Sequence, residues 1–294
     1  MNPPAGALAP GLHLVATPIG NASDITLRAL DVLARADVLA AEDTRSLKRL
    51  LEIHGIALGD RPVLAYHDHN GARMRPRLLA EMAAGRSVAY ASEAGTPMIS
   101  DPGFDLARAA IAEDLPVTTA PGVSAVVTAV TLAGLPTDRF LFAGFLPNAA
   151  AARRRALEEL APVPATLVFY ESPKRLGGML ADAVTALGPD RDAAVCRELT
   201  KRFEECRRGT LTELAGFYEN ASVKGEVVVL IDRGSLGTVS QIEIDQSLSE
   251  ALQTMSVRDA ADTVSRMLGL KRRPVYQRAM ALQQDREDGQ DEQD

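Results

Sequence analysis

The chain has 294 residues, 46% hydrophobic and 24% charged, enough for two buried cores and a small appendage. Its formal net charge is −7, yet the last ten residues, DREDGQDEQD, hold six acids and one arginine, which leaves only −2 for residues 1–284. No apolar run approaches the roughly 20 residues of a membrane helix, MNPPAGALAP lacks a basic segment leading into an apolar core, and Cys196 and Cys206 have neither zinc nor disulfide-framework spacing, so membrane, secreted and zinc-organised classes are excluded and a cytoplasmic chain is expected.

From Gly11 onward, short β-type runs alternate with helix-period runs. Strands are predicted at 12–16, 38–41, 63–66, 87–91 and 117–119. Ser23 is the candidate cap of the first helix, in which Leu27, Leu30 and Leu33 share a face. Asp101 followed by Pro102 reads as cap and first position of a helix through about Ala112. This alternation implies a mainly parallel sheet covered by helices on both faces, with residues 11–136 as one domain.

A second α/β domain is predicted over 137–234, after the turn Gly134-Leu135-Pro136. Its strands are expected at 140–144, 166–170, 193–198, 204–208 and 226–231, with helices near 150–160, 174–187 and 210–219. The two strands flanking Lys201-Arg202 read as a hairpin, which makes this sheet mixed. Residues 234–239 read as a linker. Residues 241–284 form a small helical domain: Ser256 caps a helix through Leu268, Gly269 ends it, and Pro274 sits at the start of another through Gln284. Lys271, Arg272 and Arg273 lie at the entrance of that last helix, a pattern that fits a helix-turn-helix or a plain helical bundle. The acidic stretch 285–294 is expected to be disordered.

Open α/β sheets bind ligands beyond the carboxyl ends of their strands. Three loops leaving such ends are rich in Gly and Pro: TPIGN at 17–21, SEAGTPMISDPG at 92–103 and APGVSA at 120–125. One such loop needs no explanation beyond a tight turn, but three on one sheet edge point to a cleft. GxGxxG, GxxxxGK[ST] and HExxH are absent, and Ser124 lies in GVSAV rather than GxSxG. Basic clusters at Arg153-Arg154-Arg155, Lys201-Arg202, Arg207-Arg208 and Lys271-Arg272-Arg273 are either solvated faces or phosphate contacts, and they keep a nucleic-acid partner open.

The segments TPIGNASDITLRAL, AEDTR (41–45), HDHN (67–70), SEAGTPMISDPG, PGVSA, AGLPTDRFLFAGFLP (133–147), FYESPKR (169–175), RELTK (197–201) and GEVVVLI (225–231) resemble, in this order, the bacterial 16S ribosomal RNA cytidine 2′-O-methyltransferases. These are class III methyltransferases of the tetrapyrrole-methylase fold. The resemblance covers residues 11–231, and the helical remainder is similar to the family's small C-terminal domain. It implies a homodimer that holds S-adenosylmethionine in a cleft between two α/β domains. The implied reaction is methyl transfer to the ribose of cytidine 1402 in the decoding region of the small ribosomal subunit. By motif, the implied cofactor contacts are Pro18, Gly20, Thr96, Pro97, Ile99, Ser124, Ala125, Phe169, Tyr170, Gly225 and Glu226. Glu93 stands where the family has Asp, and Lys174 where His is frequent.

A ribose hydroxyl is a poor nucleophile, so a carboxylate or imidazole near it is expected to take its proton. Asp24, Glu42, Asp43, His67 and Glu171 are the candidates. The favoured group is Glu42, Asp43 and Arg45 with His67, because it follows a strand where the cleft opens. Each has a plain structural alternative: Asp24 at a helix N-terminus, Glu42 and Asp43 paired with Arg45, His67 ordering its loop. Arg153, Arg154, Arg155, Lys271, Arg272 and Arg273 are the expected RNA contacts. Two competing readings are a tetrapyrrole methyltransferase of the same fold and a non-catalytic RNA-binding assembly factor.

Overall fold

Short apolar strands in the first half of the chain pair through β1 (Gly11–Val15), β2 (Val38–Ala41), β3 (Val63–Ala65), β4 (Ser87–Ala91) and β5 (Val117–Ala120). The computed structural model describes residues 6–99, 101–233, 241–268, 270 and 272–291; the expected linker 234–239, Gly269 and Lys271 lie outside them. The five strands form a wholly parallel sheet in the order β3-β2-β4-β1-β5. Every residue of β1, β2 and β4 is buried, as the continuous apolar runs require when both faces are covered.

Strand alternation divides the core in two. Leu12, Leu14, Val38, Ala40, Val88 and Tyr90 meet α3 (Gly71–Ala83) and α4 (Gly103–Ala112) on one face. Val15, Leu39, Ala41, Ala89 and Ala91 meet α1 (Leu27–Arg35) and α2 (Thr44–Ile53) on the other. The expected cap of α1 is corrected: Thr26 Oγ1 accepts from Ala29 N at 3.1 Å, and Ser23 lies in a preceding 3-10 turn. The later start turns Leu27 outward, 86% exposed, and the buried face is Ala29, Val32 and Leu33. Helix α4 begins one residue later than expected, with Asp101 Oδ1 accepting from Gly103 N at 2.7 Å.

The second sheet contains β6 (Phe140–Phe145), β7 (Thr166–Glu171), β8 (Asp192–Arg197), β9 (Glu205–Thr210) and β10 (Val227–Ile231). Its order is β6-β7-β10-β8-β9; β6 and β7 are parallel and the other pairs antiparallel, β8 and β9 forming the predicted hairpin. Helices α6 (Ala150–Leu160), α7 (Leu176–Leu187) and α8 (Leu211–Tyr218) complete it, the last with a Thr210–Glu213 capping box. Cys196 on β8 and Cys206 on β9 stand directly opposite each other, both free, with 3.3 Å between sulfurs.

Helix α5 (Ala125–Ala133) follows β5 in the chain but packs Val126, Ala129, Val130 and Ala133 against Val168, Ala194, Val228 and Leu230 of the second sheet. Residues 1–158 and 165–232 accordingly form one compact unit. The other unit comprises 159–164 and 233–294. In it α9 (Gln241–Ala251), α10 (Val257–Met267) and α11 (Arg272–Asp291) enclose Leu248, Ala261, Val264, Val275 and Ala279. Ser256 caps α10 as expected, accepting from Asp259 N. Helix α11 extends to Asp291, into the stretch expected to be disordered; acidic composition argues against burial, whereas Arg, Glu and Gln are good helix formers. Among the described residues no helix is long and apolar enough to cross a membrane.

Candidate active site

The three Gly/Pro loops meet at the carboxyl ends of the parallel strands. Thr17 and Gly95 exchange both backbone hydrogen bonds at 3.0 Å, and Thr96 Oγ1 donates to Val123 O at 2.9 Å, so the loop after β4 is tied to the loops after β1 and β5. Met98, in the middle loop, has φ 72, a left-handed backbone that is uncommon for a non-glycine residue and is held by packing of its side chain against the core. Above these loops opens a cleft of about 860 Å³, well within the range of small-molecule sites.

The opposite wall comes from the second sheet. Tyr170 at the end of β7 packs edge-on to Phe142 and Phe145, with ring centroids 4.8 and 5.6 Å apart, and Tyr170 and Phe145 line the cleft. Burial, with the nearby Glu226 carboxylate, raises the Tyr170 phenol above its ordinary range. Arg175 Nη2 donates to Leu146 O at 2.6 Å and fastens the loop after β7 to the loop after β6.

The tip of the β8–β9 hairpin closes one end. Lys201 Nζ lies 2.9 Å from Glu198 and 2.8 Å from Glu226, and Asn21 N donates to Thr200 Oγ1 at 3.1 Å. Two glycines permit this approach. A Cβ on Gly20 would sit 2.4 Å from Lys201 Cγ, and one on Gly225, at φ +86, would sit 2.2 Å from Glu198 Oε1.

Acid residues gather where β2 and β4 end. Glu42, Glu93 and Asp101 all line the cleft. Burial raises the Glu42 carboxyl above the usual range, the carboxylates of Glu93, Asp101 and Asp68 push the same way, and His67 opposes them. Asp101 is anchored by the Tyr90 hydroxyl, which donates to it at 2.8 Å. Glu171 also lines the cleft; burial raises its carboxyl, against the Ser172 N–H, Arg175 and Arg153.

Of the residues expected to touch a cofactor, Pro18, Gly20, Ile99, Ala125, Tyr170, Gly225 and Glu226 line this cleft. Thr96, Pro97 and Ser124 do not; Thr96 braces the loops from behind, Pro97 is buried and Ser124 precedes α5. Phe169 is corrected: it is 0% exposed, and strand alternation sends it to the face opposite Tyr170. In the expected acid–base group, Glu42 lines the cleft, while Asp43, Arg45 and His67 do not. Asp43 caps α2 and is engaged by Arg45, whose side chain is 90% exposed. His67 orders its loop through its N–H to Asn70 Oδ1 at 2.9 Å.

The expected RNA contacts also divide. Arg153 is 8% exposed and ion-paired with Asp182 at 2.7 Å, so it is a buried structural residue rather than an RNA contact. Arg154 reaches the same carboxylate at 3.1 Å, and Arg155 is exposed. Arg272 pairs with Asp262, and Arg273 is exposed.

Cleft residues outside those expectations include Ser46, Arg49, Leu50 and Ile53 on one face of α2, with Phe145 and Lys201. The α2 set follows the 3.6-residue period and is readable as a face; Lys201 enters only because the hairpin folds back over Gly20.

The family model of tetrapyrrole (corrin/porphyrin) methylases matches residues 11–215, and that of the RsmI C-terminal HTH domain matches 238–283. A ribosomal RNA small subunit methyltransferase I from Mesorhizobium japonicum is 47% identical over 95% of this chain and 94% of its own length. One from Halalkalibacterium halodurans is 42% identical over 90% of this chain and 93% of its own. Among solved structures, a uroporphyrin-III C-methyl transferase from Thermus thermophilus complexed with S-adenyl homocysteine has a TM-score of 0.53 at 21% identity, covering 76% of this chain and 97% of that one; it shares the fold.

Proposed function

The chain belongs to the ribosomal RNA small subunit methyltransferase I family, and on that premise we propose that it transfers a methyl group from S-adenosylmethionine to the ribose 2′-hydroxyl of cytidine 1402 in 16S ribosomal RNA. The observation that carries the reading is the cleft itself, where three tied loops, an aromatic wall and a raised Glu42 carboxyl meet. We place this activity in the cytoplasm, in a homodimer, the commonest soluble oligomer.

The residues present fit the cofactor. Gly20 and Gly225 leave room that a Cβ would fill, Tyr170 and Phe145 offer ring faces to an adenine, and the Glu42–Glu93–Asp101 carboxylates suit its cationic centres. Pro18, Gly20, Ile99, Ala125, Tyr170, Gly225 and Glu226 are assigned to hold it. Once bound, it supplies a methyl group already activated on a positively charged sulfur. The tied loops would act by orientation, giving the acceptor ribose and the cofactor one fixed place to meet. Glu42 takes the hydroxyl proton as the new O–C bond forms; its raised proton affinity makes it a stronger base than an exposed glutamate. Arg155, Arg272 and Arg273 are assigned to RNA phosphates, which supply affinity, while an unstacked nucleotide presents its 2′-hydroxyl.

The test is transfer of labelled methyl from S-adenosylmethionine to purified, unmethylated small ribosomal subunits, followed by mapping of the label. A ribose label at a single cytidine is the expected result. Label on a base, or on a tetrapyrrole instead of RNA, overturns the reading.

A further inference from the structure

The hairpin between β8 and β9 carries an exposed aromatic side chain that nothing in the fold uses. Phe203 is 64% exposed, and the Arg202 guanidinium lies over its ring, 5.5 Å from the centroid. The stem beneath is rigid. Lys201 N donates to Glu198 O at 3.0 Å, Glu204 N to Lys201 O at 3.1 Å, and Thr200 N to the Glu204 carboxylate at 2.7 Å. Asn21 N, from a cleft loop, donates to Thr200 Oγ1. Phe203 is two residues beyond Lys201, which lines the cleft.

We infer that Arg202 and Phe203 form a stacking platform for a nucleobase of the RNA beside the reactive cleft. A ring held on a rigid turn loses little entropy when a base stacks on it, and every base has a π-face to offer. The arginine on the turn suits an anionic partner. Glu198 is engaged by Lys201, Glu204 by the Thr200 N–H, and Glu205 by Arg197 and Arg207. Arg202, in contrast, has no carboxylate partner among the described residues, so its charge is available to a phosphate next to the stacked base. The platform adds base stacking near the acceptor ribose to the phosphate contacts, and it rests on the reading that the acceptor is RNA.

Steady-state methyl transfer to purified, unmethylated small ribosomal subunits tests it with Phe203→Ala, Phe203→Leu, Phe203→Tyr and Arg202→Gln. Phe203→Ala and Phe203→Leu are expected to raise KM for the subunit by about tenfold or more, with a smaller change in kcat, and Phe203→Tyr to restore it. Arg202→Gln raises KM and flattens its dependence on salt. Melting temperature, S-adenosylmethionine affinity by calorimetry and mass by light scattering stay as in the parent. Unchanged KM in Phe203→Ala, or equal rescue by Leu and Tyr, overturns the platform while leaving the RNA reading intact. Loss of cofactor affinity makes Phe203 part of the cofactor site, and a fall in mass makes it a subunit interface; either overturns the platform. If the parent protein transfers no label to RNA, the RNA reading fails first and the platform with it.

Discussion

The Asp43 carboxylate accepts from the backbone N–H of Arg45 at 2.8 Å and from its guanidinium at 3.1 Å, so it is satisfied within its own helix turn while Glu42, one residue earlier, lines the cleft. The two acids should therefore separate on substitution. Glu42→Gln is expected to lower kcat by about 10²- to 10⁴-fold, the usual contribution of a general base. Asp43→Ala removes a helix cap and lowers stability, with a much smaller effect on kcat. Single-turnover rates beside urea melts decide between them, and equal losses of kcat would remove Glu42 from its assigned role.

Glu42 also sets a pH dependence. It must be ionised to accept a proton, and burial together with Glu93 and Asp101 raises its proton affinity, so the acid limb of the rate profile should lie above the ordinary glutamate range. Glu93→Gln removes one repulsive charge and is expected to move that limb to lower pH. Stability responds in the opposite sense. A folded carboxyl that binds its proton more tightly than the unfolded one contributes most below the unfolded value, and that contribution declines as pH rises through the folded one. Glu42→Gln should consequently raise Tm more at pH 8 than at pH 4. An acid limb that ignores Glu93→Gln contradicts the assignment.

Arg153 offers a test of burial against charge. Its ion pair with Asp182 is almost fully enclosed, so removing Arg153 leaves the buried carboxylate with only the more exposed Arg154 to balance it. Arg153→Ala is expected to destabilise the fold by about 2–3 kcal/mol, less than for a buried charge left with no partner. Arg155→Ala should leave stability within about 0.5 kcal/mol, as surface changes usually do, and weaken RNA binding. Denaturant melts and subunit-binding assays on the two variants give the comparison; a stable Arg153→Ala with weakened RNA binding would restore Arg153 to the RNA surface.

Gly225→Ala should damage both the fold and the cleft. Its left-handed backbone costs an alanine about 1–2 kcal/mol, and the new Cβ displaces the Glu198 carboxylate that accepts from Glu226 N at 3.0 Å and pairs with Lys201. S-adenosylmethionine affinity is expected to fall with stability. Unaltered affinity would take the Gly225–Glu226 turn out of the cofactor wall.

The strands were legible to within one or two residues because apolar runs bounded by Gly and Pro are local signals. The three cleft loops were legible for the same reason. Facing was harder. Phe169 and Tyr170 belong to one motif, yet period 2 permits only one of them to meet the cleft, and Tyr170 is that one. Arg153 looked like part of a basic run, although it shares a helix face with the buried Leu157 four residues on. Lys201 stood out in a basic pair and in RELTK, but neither signal put it in the cleft, since its place there depends on a hairpin tip returning to Gly20 across 181 positions of chain.

Helix α5 leaves the first sheet in sequence and covers the second in space. Its apolar surface precedes in the chain every strand that it shelters, so the core of the second sheet is completed by a segment from before its own first strand. A protein severed after Gly134 would part that segment from its strands, exposing Val130 and Ala133 on one fragment and Val228 and Leu230 on the other. The two α/β lobes are therefore not interchangeable modules, and neither can be transplanted without taking part of its neighbour.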